Sequence, residues 1–264
     1  MGLGVERLEE EVASLFPEAR TLRWDRDVTR GRHAHERILS RFVEGKADIL
    51  IGTQMVAKGL DLPAVTLVGV ISADIGLHIP DFRSGERTFQ LLTQVSGRAG
   101  RALSSSKGGG APSGDGPLPG QVVVQTYTPD SYAVVAAAQH DYARFFASEI
   151  EIRRQSGYPP FVRLARLVYS HTNEEYGRRQ AERLAHLLRL TAAEKGLPGV
   201  EVMGPAPTHV PKWHGRFRWQ LTVRSPDPSE LLLWLERPEA EGGVSGGHGL
   251  PQGWTLDIDP VTLA

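Results

Sequence analysis

Residues 48–74 read DILIGTQMVAKGLDLPAVTLVGVISAD, and this stretch decides the fold. Its apolar runs, 48–52 and 65–71, are short and almost unbroken, as expected of parallel strands covered on both faces. Upstream, 5–16 carries Val5, Leu8, Val12, Leu15 and Phe16 at helical spacing, 21–24 is a short strand and 34–43 a helix. Downstream, 82–95 reads as a helix and 121–126 (QVVVQT) as a further central strand. Helix and strand alternate, so residues 1–130 are expected to form an α/β lobe with a mostly parallel sheet.

Further along the chain the pattern changes. Residues 103–120 are too rich in Gly, Ser and Pro to bury a core and read as a flexible surface excursion. Residues 132–155 are helical until GYPP at 157–160 breaks the helix, which makes 131–160 a linking region. From 161 to 264 the order is strand (161–170), helix (173–195), strands (200–203 and 219–223), helix (229–235) and strand (254–258). That is a small α+β domain, interrupted by a second Gly/Pro-rich insert at 238–253.

The 264 residues, 40% of them hydrophobic, suffice for two domains with separate cores. A formal net charge of -1 means that any nucleic-acid contact must come from local basic patches. The absence of cysteine excludes disulfides, thiolate zinc sites and cysteine nucleophiles, and the nine histidines lack metal-ligand spacing. No apolar run is long enough to span a bilayer and no signal-peptide pattern opens the chain, so a cytoplasmic protein without membrane partners is expected. Gly2 and Gly4 lead straight into the first helix, as after a strand in a βα turn. Either the fold starts unusually or the chain is the later part of something longer.

Two blocks carry chemistry. In GTQMVAKGLDLP (52–63), Thr53 follows a parallel strand directly, where open α/β sheets bind their ligands. Thr53 and Lys58 suit a backbone phosphate and Asp61 a ribose hydroxyl, although a plain polar loop explains the same residues. In QLLTQVSGRAGR (90–101), Gln94, Arg98 and Arg101 share one short segment, with Gly97 and Gly100 allowing tight turns. A guanidinium aimed at a γ-phosphate neutralises the charge that develops during phosphoryl transfer. No G-x-x-x-x-G-K-[ST] occurs, and Asp74 in SADIG has no acidic neighbour to help hold Mg²⁺. Such arginines therefore need a partner lobe. Between the blocks, DFRS (81–84) reads as ordinary capping, with Ser84 as N-cap and Phe82 entering the core.

In PKWHGRFRWQL (211–221), Lys212, Arg216 and Arg218 alternate with Trp213, Phe217 and Trp219. Interleaved cations and aromatics suit single-stranded or branched nucleic acid. A hairpin with Phe217 and Trp219 in the core and its cations in solvent fits equally well.

These residues resemble the primosomal protein N′ family, the PriA-type replication-restart DNA helicases of superfamily two. VERLEEEV (5–12), ILIGTQMVAKGLDLPAVTLVGVISAD (49–74) and PDFRSGERTFQLLTQVSGRAGRA (80–102) look like the later half of the family's second helicase lobe, with motifs V and VI. EIEIRRQSGYPPF (149–161), MGPAP (203–207), RFRWQL (216–221) and LDIDP (256–260) are similar to its C-terminal domain. The resemblance implies a partial RecA-like lobe 2 followed by a DNA-binding domain. It puts Gln94, Arg98 and Arg101 at ATP, the arginines as fingers, Gly59 and Asp61 at the nucleotide side of motif V, and Thr53 and Lys58 nearer the DNA. ATP and Mg²⁺ would be held through an N-terminal lobe that carries the P-loop. The family's zinc module has no ligands here. Implied partners are forked or single-stranded DNA, that lobe, single-stranded DNA-binding protein and other primosome proteins. A freestanding DNA- or protein-binding adaptor derived from a helicase is the alternative.

Overall fold

A computed structural model of the chain describes residues 4–25, 34–54, 65–97, 120–233 and 253–263. The chain divides into two compact units. One is Met1–His78 with Gly85–Phe145, the other Ile79–Ser84 with Phe146–Ala264.

In the first unit, α1 (Val5–Leu15) leads to β1 (Thr21–Trp24), α2 (Ala34–Val43) and β2 (Ile49–Gly52). Strands β1 and β2 pair in parallel from Thr21↔Ile49 to Trp24↔Gly52. Leu22 and Trp24 point into a small core with Ile38 and Ala47, and the Trp24 indole N–H donates to His35 Nδ1 at 2.9 Å. Burying the ring while satisfying its one donor removes the cost of an orphaned polar atom.

A second parallel pair joins β3 (Leu67–Val70) to β4 (Gln121–Val124), from Leu67↔Gln121 to Val70↔Val124. Among the described residues the two pairs are separate two-stranded sheets. Residues 65–71 read as a strand covered on both faces, yet alternate positions of β3 are open, with Leu67 59% exposed. An unbroken apolar run has no polar residue to mark an outward face, so composition alone could not reveal the open one.

After α3 (Asp74–Leu77) comes α4 (Ser84–Ser96), which buries Thr88, Phe89, Leu92 and Val95 at spacings of one side of a helix. The Phe89 and Phe145 rings stack with centroids 4.2 Å apart, and Tyr132 lies on the far side of Phe145 at 5.8 Å. Residues 132–155 form two helices rather than one, α5 (Tyr132–Ala138) and α6 (Tyr142–Ser156). His140 takes φ 53°, and Asp141 restarts the helix by accepting from Arg144 N at 2.9 Å. A short acceptor at an N-cap outweighs the helical composition on either side of it.

The second unit is an antiparallel sheet, order β6-β7-β5-β8, of β5 (Arg163–His171), β6 (Glu201–Trp213), β7 (Arg216–Ser225) and β8 (Trp254–Ile258). Along one side runs α7 (Glu174–Glu194), capped by Asn173, whose side-chain oxygen accepts from Tyr176 N at 2.9 Å. Its Leu184, Ala185 and Leu188 are buried in one cluster with Ala165, Leu167, Leu221 and Val223, and Ala181 on the same helix is buried too. A short helix, α8 (Pro228–Leu233), follows β7. Strands β6 and β7 are much longer than 200–203 and 219–223. Pro205, Pro207 and Pro211 argue against a strand in sequence, but β6 is at the sheet's edge, where a missing N–H costs no ladder bond. The hairpin turns through His214 and Gly215, with φ 46° and 78°, the paired positive values of a tight I′-type connection.

Candidate functional site

Thr53 is exposed just past the end of β2. Gln94 is exposed in the last turn of α4, between the more buried Leu92 and Val95. Lys58, Gly59, Asp61, Arg98 and Arg101 lie outside the described residues, as do 103–119 and 238–252 of the two Gly/Pro-rich stretches. Of the two blocks, the described residues thus include one hydroxyl at a strand end and one amide at a helix end, and nothing brings the two side chains into contact.

Asp74, which has no acidic neighbour in the sequence, has a structural task. It is buried at the start of α3, and its carboxylate accepts from Thr126 Oγ1 (2.9 Å), Thr128 Oγ1 (2.8 Å) and Tyr127 N (3.0 Å). Burial alone would raise its pKa. The donors from Tyr127, Thr128 and Thr126 outweigh it and hold the carboxyl below its ordinary value. The clamp ties the end of β3 to the loop after β4 and leaves the Tyr127 ring in solvent. No single residue announced it, because its donors are fifty residues away in the chain.

The DFRS segment also differs from its reading. Ser84 is the first helical residue rather than the N-cap, and Asp81 does the local capping, its Oδ1 accepting from Arg83 N at 2.9 Å. Phe82 stacks on Tyr158 at 5.5 Å, with the Arg153 guanidinium 5.4 Å from its ring centroid. Glu149 holds that guanidinium at 2.6 Å. These partners all belong to the second unit.

In the C-terminal unit, register sorts the run 211–221 onto two faces. Lys212 pairs with Phe217, its Nζ 4.6 Å from that ring centroid. Phe217 shares its face with Trp219, Leu221 and Val223. That face packs on α7, where the Trp219 ring lies so close to Gly177 that a Cβ there would stand 3.1 Å from it. Trp213 pairs with Arg216 on the opposite face. Arg216 donates to Ser170 O at 3.1 Å, and the Trp213 ring is 56% exposed. On that face Arg218 pairs with Ser170 and Arg166 with Thr222, and Arg166 Nε donates to Gln220 Oε1 at 3.2 Å. Burial, with the Arg218 charge beside it, lowers the Arg166 guanidinium from its ordinary value. Arg216, Arg218 and Arg166 with an exposed indole make a surface suited to phosphates and a stacked base. Arg166 escaped the sequence reading because only the pairing of β5 with β7 brings it here.

Among the described residues no group of three or more His, Cys, Asp or Glu could hold a metal ion, and no helix is long and apolar enough to cross a membrane.

Comparison with known proteins places this geometry. Residues 12–103 match the helicase conserved C-terminal domain, and residues 154–261 match the primosomal protein N C-terminal domain. The fold is therefore that of a helicase C-terminal lobe followed by a primosomal C-terminal domain. The chain is 44% identical to replication restart protein PriA of Bacillus subtilis over 236 residues, 89% of this chain and 27% of that protein. It is 43% identical to the Chlamydia muridarum protein of the same name over 261 residues, 99% of this chain and 32% of the relative. With the Haemophilus influenzae protein the identity is 35% over 264 residues, 100% of this chain and 33% of the relative. The chain belongs to the family of replication restart protein PriA, and it spans about a third or less of the length of these relatives.

Proposed function

We propose that the chain supplies the later half of the second motor lobe and the C-terminal DNA-binding domain of an ATP-dependent 3′ to 5′ DNA helicase of replication restart. The observation that carries this reading is the succession of helicase and primosomal C-terminal matches in one chain, with 35–44% identity to proteins named for replication restart. The motor part is assigned to residues 1–130, the linking helices to 131–160 and the DNA-binding domain to 161–264.

In this reading Arg98 and Arg101 are arginine fingers and Gln94 acts beside them, all facing ATP held by an N-terminal lobe. The exposure of Gln94 at the end of α4 is consistent with a group that meets a ligand. Gly59 and Asp61 belong to the nucleotide side, while Thr53 and Lys58 contact the DNA backbone. Lys212, Arg216 and Arg218 contact DNA from the C-terminal unit. When bound, ATP with Mg²⁺ supplies the phosphoryl group whose transfer drives unwinding, and the fingers neutralise its developing charge. The sequence has no P-loop and no cysteine for a zinc module, so nucleotide and zinc would be held elsewhere in the machine. Forked or single-stranded DNA, single-stranded DNA-binding protein and other primosome proteins are the partners of this reading, and the cytoplasm its compartment.

The test is DNA-dependent ATP turnover, with the 264 residues alone and joined to the P-loop lobe. The chain alone is expected to turn over nothing. In the joined protein Arg98→Ala or Arg101→Ala should cost about 10³-fold or more while sparing DNA binding. Turnover by the chain alone, or unchanged turnover in both variants, would remove the finger role.

A further inference from the structure

The helix that ends near Gln94 starts on a segment that folds with the other unit. Residues Ile79–Ser84 lie inside the helicase match yet belong to the C-terminal unit, and α4 begins at Ser84. Asp81 is the hub of that segment and is buried. One carboxylate oxygen accepts from Leu263 N at 2.9 Å and from the Thr262 hydroxyl. The other accepts from Arg83 N at 2.9 Å, one residue before the helix.

The same network reaches the guanidinium face of the sheet. Thr262 O accepts from Arg166 Nη1 at 3.4 Å, the longest hydrogen bond in the series. Arg166 feels the charge of Arg218, which pairs with Ser170 next to Arg216, and the opposite charges of Asp257 and Asp81. A phosphate bound between two like-charged guanidiniums removes their repulsion and draws both towards it. A movement of Arg166 would then be felt at its hydrogen bond to Thr262 O. From Thr262 onward the connections are hydrogen bonds ending on the backbone at the start of α4, and Phe82 of the same segment stacks on Tyr158.

We propose that Asp81 and Thr262 are positioning residues that carry occupancy of the Arg166–Arg218 face to the first turn of α4, the helix that carries Gln94. The inference rests on the proposed binding of DNA to this face and adds the route by which that binding reaches the nucleotide side. Its physical basis is a contiguous hydrogen-bonded series whose two ends are biased by different ligands.

Amide hydrogen exchange on the whole chain, with and without a single-stranded oligodeoxythymidine, tests it, alongside a binding isotherm for the same oligonucleotide. In the unsubstituted protein, saturation should slow exchange at residues 85–90 by about fivefold or more. Thr262→Val, which removes one hydroxyl at nearly constant shape, should bind the oligonucleotide as before and lose that response; Asp81→Asn, whose lost charge also acts on Arg166, should lose it even at saturation on its own isotherm. Arg163→Ala, which breaks an ion pair of the same unit with Asp259, should keep it. Protection along α7 reports whether each variant is folded. Binding without any change at 85–90, or a response that survives both Thr262→Val and Asp81→Asn, overturns the inference. A flat isotherm for the unsubstituted protein overturns the DNA reading itself, and this one with it.

Discussion

Arg20 and Asp48 lie at the same end of β1 and β2, and together they fix the start of the first parallel pair. The guanidinium donates to both carboxylate oxygens, at 2.9 and 2.7 Å, and Arg20 N adds a third bond at 2.9 Å. These hydrogen bonds, from the Arg20 side chain first, hold the Asp48 carboxyl well below the usual carboxylate range. A carboxyl whose folded pKa is depressed stabilises the fold above its unfolded value and loses that contribution as pH falls through the folded one. Asp48→Asn should therefore flatten the acid limb. In urea midpoints taken from neutral to acid pH, the native chain should lose more stability than the variant below about pH 4. Equal losses would mean that the exposed pair contributes nothing measurable, the usual fate of surface ion pairs. The sequence named neither partner. It did name Gln94 and Thr53, and both are on the surface, because polar residues at helix and strand ends are rarely buried. It missed Asp74, Asp81 and Arg166, whose significance depends on partners that only the folded chain brings near.

Elements were most legible where periodicity was strong and least where one residue overrode it. The strand at 21–24 and the helix at 34–43 fall where their patterns put them. The break between α5 and α6 did not, because His140 in the left-handed region and the Asp141 cap decide it locally. The β6–β7 hairpin was underestimated because prolines hid an edge strand. Within it, MGPAP contains a second constraint. Gly204 takes φ 95°, and a Cβ there would stand 2.8 Å from the backbone oxygen of Gln220 on the neighbouring strand. Backbone oxygen cannot swing aside as a long side chain can. Gly204→Ala should cost about 2 kcal/mol or more in unfolding free energy. Denaturant titration checks this, and a loss below a few tenths of that figure would mean that β6 shifts freely at its bulge.

For the molecule as a whole, a net charge of -1 leaves no general attraction for nucleic acid, so the proposed DNA binding would have to come from local cations, the arginine face and Lys212 near the hairpin turn. Replacing Lys212, Arg216 and Arg218 together should weaken binding and lower the slope of log affinity against log salt by about 0.7 for each single-strand phosphate that is no longer neutralised. An unchanged slope would leave the run as a plain hairpin. The α/β lobe followed by an α+β domain was readable from the order of elements. That six residues of the lobe's sequence fold with the C-terminal unit was not. Neither composition nor spacing encodes it, since it arises from Asp81 and Phe82 meeting Thr262, Leu263 and Tyr158.

That exchange of Ile79–Ser84 bears on how such a protein can be inherited. Two domains joined end to end can be shuffled as cassettes, each keeping its own interior wherever recombination sets it down. Here no single breakpoint divides the chain cleanly. A piece ending at Phe145 would carry Asp81 and Phe82 away from Thr262 and Tyr158, and the complementary piece would keep those partners with nothing to hold. Recombination at that point would leave partners missing in both products, which favours common descent of the two units.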